Sequence, residues 1–355
     1  MRILIVGDSY FPSSAYRPAF ERLAGGHELT FVDLADDPAW VPSSPSELSL
    51  RETFGSPSAV IGALDRHEVL VLQGAAISDA VLEAAPALVA VCCARGGPVN
   101  VDVAAATERG IPVVTTPGKN ADAVADLTIG FIVMLARRLP EVMRHVEAGG
   151  AFGHDNYEGS RWFGRDLAGQ TVGIVGFGQV GRRVAKRALA FGMRVIVHDP
   201  FLAATAIAEG GAEAVDLETL VSTADVVSLH ARASEDNRHL IGRPEVARMK
   251  PGSYLINTAR DTLVDEVALA EGLASGRLAG AALDLVSPSP AAGRHPLLAF
   301  PNVIITTHIG GATAETLHHA AEMIAAEIER LAAGEPLVNV ANRAALEARR
   351  SGSVA

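Results

Sequence analysis

Short, unbroken apolar runs alternate along this chain with longer stretches in which alanine, leucine and valine recur at helical spacing. In the first third the runs fall at residues 3–6, 29–32, 69–72, 88–92 and 113–115, with helical patterns at 78–85 and 101–109. A run apolar at every position, rather than at every second one, predicts a strand buried on both faces, as in a parallel sheet covered by helices. Residues 36–57, rich in proline and serine, predict a surface excursion. Pro117-Gly118 then breaks the pattern. A long helix is expected from Ala121 to about Leu139, stopping near Pro140, with helical spacing resuming to Ala148 and ending at Gly149-Gly150. Residues 151–170 are glycine-rich and aromatic (Phe152, Tyr157, Trp162, Phe163), which predicts a surface wrap whose rings serve packing. The alternation then resumes, with apolar runs at 171–175, 194–198, 226–229, 253–257, 279–283 and 303–306 and helical patterns at 182–191, 217–223 and 265–275. A last amphipathic helix, 313–332, is closed by Gly334. No internal repeat stands out beyond this strand–helix rhythm, which makes the chain an α/β protein.

Composition narrows the class without changing it. At 355 residues the chain exceeds one ordinary core, so two domains are expected. The net charge of −11, with no basic stripe, argues against binding nucleic acid. The only cysteines, Cys92 and Cys93, are adjacent and fit neither a disulfide framework nor a metal site. The first apolar stretch, Ile3 to Gly7, is too short for a signal sequence, and no run reaches the roughly 18 residues a membrane span needs. A cytoplasmic setting, away from membranes, is expected.

Candidate chemistry begins at residues 171–199. An apolar run enters Gly176-Phe177-Gly178-Gln179-Val180-Gly181, a helical stretch follows, and a second apolar run ends in Asp199. Each glycine has its own physical role. Gly176 permits the tight turn, Gly178 lets backbone approach a pyrophosphate, and Gly181 lets helix pack close to strand. The helix start offers free N–H groups to phosphates. Asp199 stands where an acid accepts hydrogen bonds from the adenosine ribose and repels a 2′-phosphate, so NAD is expected over NADP. None of the early apolar runs carries such a fingerprint, so the first domain should hold something other than the cofactor. A nicotinamide cofactor carries hydride, leaving the protein to orient the substrate and exchange a proton. Histidine suits the proton and arginine a carboxylate, and both should lie beyond the carboxyl ends of strands. Arg260 and His308 satisfy that placement.

From about Val89 to Val340 the chain resembles the NAD-dependent D-2-hydroxyacid dehydrogenases, which include phosphoglycerate dehydrogenases and hydroxypyruvate reductases. The residues that carry the resemblance are Arg109-Gly110-Ile111-Pro112-Val113, the stretch from Pro117 to Asp126, the glycine fingerprint, Ala224 to His230, Met249 to Ser253, Ile256 to Arg260, Gly280 to Asp284 and Thr307 to Thr313. The resemblance implies two doubly wound parallel-sheet domains. A Rossmann NAD-binding domain (118–311) would be inserted in a flavodoxin-like substrate domain (1–117 with 312–345), followed by a flexible tail (346–355). It implies that Arg260 binds and polarises an α-keto acid while His308 exchanges the proton. Gln179, Val180 and Asp199 would hold the adenosine half of NAD, and Ala231, Asn237, Ala259 and Asp284 would line the nicotinamide side, with Asp284 facing the carboxamide. The loop at Arg95, Gly96 and Gly97 would receive the substrate, the glycines through backbone N–H groups. A homodimer is the usual assembly.

Three departures stand out. Ser289 occupies the place of the family's catalytic glutamate, Asp261 follows Arg260 where glycine is usual, and Arg95 adds a second cation. Two cations would suit a dianionic 2-hydroxy or 2-keto acid. The competing expectation is a non-catalytic, corepressor-like NAD-binding protein, which Ser289 alone supports. A short-chain reductase finds no support, since none of the four tyrosines has a lysine four residues on.

Overall fold

A computed structural model describes residues 1–23, 25–150, 159–287 and 294–350. The chain divides into two compact units, one formed by 1–119 with 313–355 and the other by 120–312. In the first unit the strands β1 (Arg2–Gly7), β2 (Glu28–Asp33), β3 (Val69–Leu72), β4 (Ala90–Cys93) and β5 (Val113–Val114) form one parallel sheet in the order β2-β1-β3-β4-β5. β3 and β4 are buried at every position, as unbroken apolar runs require. The helix Ala314–Ala332 lays Ala320, Ala321, Ile324, Ala325 and Ile328 on the β1 face, against Ile3, Ile5 and Phe20. The end of the chain therefore belongs to this unit. The buried Glu327 carboxylate accepts from the amides of Val338 and Asn339 at 3.0 Å each and from Asn339 Nδ2 at 2.8 Å. Val340 then bridges Val114 antiparallel, and Asn342 Oδ1 accepts from Val113 N at 2.7 Å.

The second unit holds β6 (Thr171–Val175), β7 (Arg194–His198), β8 (Glu213–Ala214), β9 (Val226–Leu229), β10 (Ser253–Asn257), β11 (Leu278–Leu283) and β12 (Val303–Ile305). They form a parallel sheet in the order β12-β11-β10-β9-β6-β7-β8. Helices cover both faces. Leu220, Leu255, Leu269 and Leu273 meet in one core layer, and Ile132, Ile174, Val184 and Val197 in the other. Strand order reverses between β6 and β9, and a doubly wound sheet opens its crevice there, beyond the carboxyl ends.

Some elements differ from the pattern-based expectation. The long helix ends at Ala136 rather than near Pro140, and Arg138 takes a left-handed conformation (φ 54°) before a new helix, Leu139–Glu147. Proline is tolerated in a first turn, where its missing N–H has no intrahelical partner, so Pro140 begins a helix instead of ending one. Near the end of the chain a helix, Arg343–Arg350, follows with Ala345 buried, and residues 351–355 of the tail expected from 346 lie outside the described residues. The two-residue edge strand β8 and the short helices Ala204–Ala208 and Arg243–Arg248 are too brief to leave a periodic signal. Phe152 and Tyr157 of the aromatic wrap lie outside the described residues.

Candidate active site

The glycine fingerprint lies at the switch point of the seven-stranded sheet. Gly176 ends β6 with φ 91°, and a Cβ there would sit 2.6 Å from Ala231 N, so the turn passes against the chain leaving β9. A Cβ on Gly181 would run into the Gly176 carbonyl, which fixes how closely the helix Gln179–Ala190 approaches its strand. Gly178 is different. Its φ is negative, and a Cβ on it would meet nothing within 4 Å. Nothing inside the protein demands glycine at 178, and the open space suits a ligand brought against bare backbone. No side chain caps the helix that starts there, and its first turn has no acid, so its N–H groups and positive end stay free for an anion.

Asp199, following β7, accepts from Phe177 N at 2.8 Å and from Phe201 N at 3.0 Å, which ties it to the glycine turn itself. Gln179 is engaged by Arg183 at 2.8 Å, and Val180 packs half-buried on the core. Asn237 folds its own loop, donating to Arg232 O and accepting from Ser234 N, both at 2.8 Å. Beside Ala231 lies a residue that sequence reasoning passed over. His230 Nε2 pairs with Ser228 Oγ at 2.8 Å, its buried Nδ1 has no partner among the described residues, and burial pushes the imidazole down to about 3. It therefore stays neutral at the cofactor crevice. Together with Gly178 and the uncapped helix, that orphaned polar atom fits a dinucleotide site.

The next three strands end on the same carboxyl edge. Arg260 follows β10, Asp284 follows β11 and His308 follows β12. Arg260 is exposed. Asn257 Nδ2 donates to its carbonyl at 2.8 Å, and among the described residues the guanidinium hydrogen-bonds through Nη1 to Ala259 O at 2.6 Å. The remaining N–H groups keep the fork that suits a carboxylate. His308 is exposed and adopts φ 60°, a left-handed conformation that costs a non-glycine residue energy and needs an outside hold. Asp284 supplies the hold. Its buried carboxylate accepts from Thr306 Oγ1 at 2.6 Å, Ile309 N at 2.9 Å and Gly310 N at 2.7 Å, while its carbonyl accepts from His308 N at 2.8 Å. Roughly one of its four acceptor positions stays open to a ligand. Ser289 lies outside the described residues.

In the first unit, Arg95 follows β4. Its Nη1 is ion-paired with the Glu52 carboxylate, Nη2 donates to Glu52 O at 2.8 Å and Nε to Gln73 O at 2.9 Å. A carboxylate of the same chain already balances this cation, which weakens its use as a second substrate charge. Gly96 and Gly97 are exposed, a Cβ on either would meet nothing within 4 Å, and among the described residues their amides have no partner. Lys119, within the Pro117–Asp126 motif but absent from the expected site, reaches this loop. Its Nζ donates to Ala94 O at 2.6 Å, and burial draws the ammonium down to about 8.

A cavity of about 460 Å³ between Leu135, Arg138, Phe163, Tyr254 and Asn302 lies at the opposite, amino-terminal ends of β10 to β12, away from all of these groups. Among the described residues no helix is long and apolar enough to cross a membrane.

A reversed strand order with a glycine turn, a free helix end and an acid at its switch point defines a Rossmann dinucleotide-binding protein. The model for "D-isomer specific 2-hydroxyacid dehydrogenase, NAD binding domain" matches residues 129–310. A hydroxypyruvate reductase of Thermotoga maritima is 39% identical over 272 residues, covering 76% of this chain and 86% of its own. A D-3-phosphoglycerate dehydrogenase of Archaeoglobus fulgidus is 35% identical over 297 residues, 83% of this chain and 55% of its own. The chain thus spans about half the length of the phosphoglycerate dehydrogenases it matches. A solved protein from Thermus thermophilus superposes with a TM-score of 0.75 at 34% identity, covering 96% of this chain and 100% of that one. The chain belongs to the D-isomer specific 2-hydroxyacid dehydrogenase family, a family of NAD-dependent oxidoreductases.

Proposed function

We propose that this chain interconverts a small 2-hydroxy acid and its 2-keto acid. The observation that carries the proposal is the shared carboxyl edge: Arg260 and His308 end strands of the sheet whose switch point holds the NAD turn. When bound, NAD(H) accepts or supplies the hydride. Arg260 would hold the substrate carboxylate and polarise the adjacent carbonyl, and His308 would give its proton to the ketone oxygen as hydride reaches carbon. Hydride plus proton converts ketone to alcohol, and the reverse step returns both. The free amides of Gly96 and Gly97 support a role in receiving the substrate's anionic end. Ser289, in the place that the family pattern gives to glutamate, carries no charge. Ser289→Glu should therefore move the alkaline limit of ketone reduction upward, because a carboxylate favours the imidazolium. The proposal places the protein in the cytoplasm, as a homodimer.

The deciding experiment follows NADH oxidation with hydroxypyruvate, glyoxylate, phosphonopyruvate and oxaloacetate. Turnover of at least one, lost in His308→Asn with NADH binding retained, is expected. NADH binding without turnover of any 2-keto acid would instead favour the corepressor-like reading.

A further inference from the structure

We propose that Lys119 is the unpaired cation of an anion site on the first unit's carboxyl edge, binding carboxylate or phosphate oxygen beside Gly96 and Gly97. The inference rests on the 2-keto acid reading above and identifies which side chain there carries charge to the substrate. Thr116 N donates to Arg95 O at 2.8 Å, holding the loop after β5 against the loop after β4, and Lys119 Nζ reaches across to Ala94 O at 2.6 Å. That bond uses one of three ammonium N–H groups and leaves two for a ligand. No carboxylate pairs with it among the described residues. Arg95, by contrast, is matched by Glu52. Asp8 attracts the ammonium through space but forms no ion pair with it, its carboxylate being held by backbone: Oδ1 accepts from Tyr10 N and Phe11 N at 2.9 and 2.8 Å, and Oδ2 from Gly74 N at 2.9 Å.

The other groups around Lys119 do not neutralise it. The Phe11 ring centroid lies 5.8 Å from Nζ, the buried Cys93 thiol is pushed up to about 12 and stays protonated, Arg95 is itself positive, and His319 Nδ1 meets the Lys119 carbonyl. A mostly buried cation bonded to the loop that carries two open amides, with no ion-pair partner among the described residues, suits an anion from outside the chain. Burial also makes it titratable, since the ammonium is lost as pH rises through about 8. Anion affinity should fall across that range, whereas a guanidinium in the same place would hold it.

The test measures oxalate binding to the full chain, with NADH present, by calorimetry from pH 6.5 to 9.5. The parent should lose about tenfold in affinity per unit above pH 8. Lys119→Met should bind at least tenfold more weakly at pH 7 with little further pH dependence, and Lys119→Arg should bind well with the fall removed. Only three lysines occur, and Lys186 is exposed while Lys250 pairs with Asp225 at 2.6 Å. One 13C-methylated lysine resonance should therefore titrate near 8 and be missing from Lys119→Arg. Equal oxalate affinity in Lys119→Met and parent, or a pH dependence that survives Lys119→Arg, would overturn the assignment while leaving keto acid turnover intact. A parent that neither binds oxalate nor reduces any 2-keto acid would overturn the functional proposal, and this site with it.

Discussion

At the scale of single residues, the two fingerprint glycines separate ligand from fold. A Cβ on Gly178 would meet nothing within 4 Å, so Gly178→Ala should leave the melting temperature within about 2 °C of the parent while abolishing NADH binding. Gly181→Ala forces a Cβ into the Gly176 carbonyl and should cost about 2 kcal/mol or more, seen as a lowered denaturation midpoint. Equal effects of both on stability would refute the distinction. Arg260→Lys should lower turnover of keto acids roughly a hundredfold with NADH affinity unchanged, because an ammonium cannot match the planar fork. Asp199→Ala should narrow the preference for NADH over NADPH by about tenfold, checked by the ratio of their dissociation constants. Lys119 has a thermodynamic signature of its own. Its folded value is lowered from 10.5 to about 8, so between those pH values the unfolded chain binds the extra proton and stability rises with pH. Below pH 8 the buried charge costs on the order of 3 kcal/mol, a penalty that Lys119→Met should remove.

At the scale of elements, the loop after β12 depends on a strand it does not belong to. Asp284, at the end of β11, takes three hydrogen bonds from residues 306–310 and so imposes the left-handed conformation of His308. In Asp284→Asn one oxygen becomes an amide that faces an N–H donor. The loop should loosen, with a loss of roughly 2–3 kcal/mol in stability and a fall in kcat larger than the change in NADH affinity. An unaltered kcat in a folded Asp284→Asn chain would mean that His308 needs no such hold. The alternation of apolar runs identifies these strands, but the side chain linking them carries no periodic signal.

At the scale of the molecule, the helix Leu139–Glu147 exposes Leu139, Met143 and Val146 along one stripe, and Phe163 is 80% exposed in the same unit. Such a patch suits a second copy of the chain, so Met143→Glu should shift a dimer toward monomer in light scattering. What the sequence determined by itself was whatever depends on local periodicity and fixed spacing. Strands buried on both faces declared a parallel sheet, and three glycines with a following acid declared the dinucleotide turn. Arginine and histidine just past apolar runs were marked for the carboxyl edge, because side chains beyond strand ends can reach a ligand whatever the packing elsewhere. Tertiary structure alone decided how each charge is spent. Glu52 and Arg95 are 43 residues apart, and Asp8 and Gly74 are 66 apart, so no local pattern could reveal that the first pair cancels or that backbone amides hold the Asp8 carboxylate. Lys119 acquires its significance only from those distant pairings, since whether a cation is free depends on every neighbour that might have neutralised it.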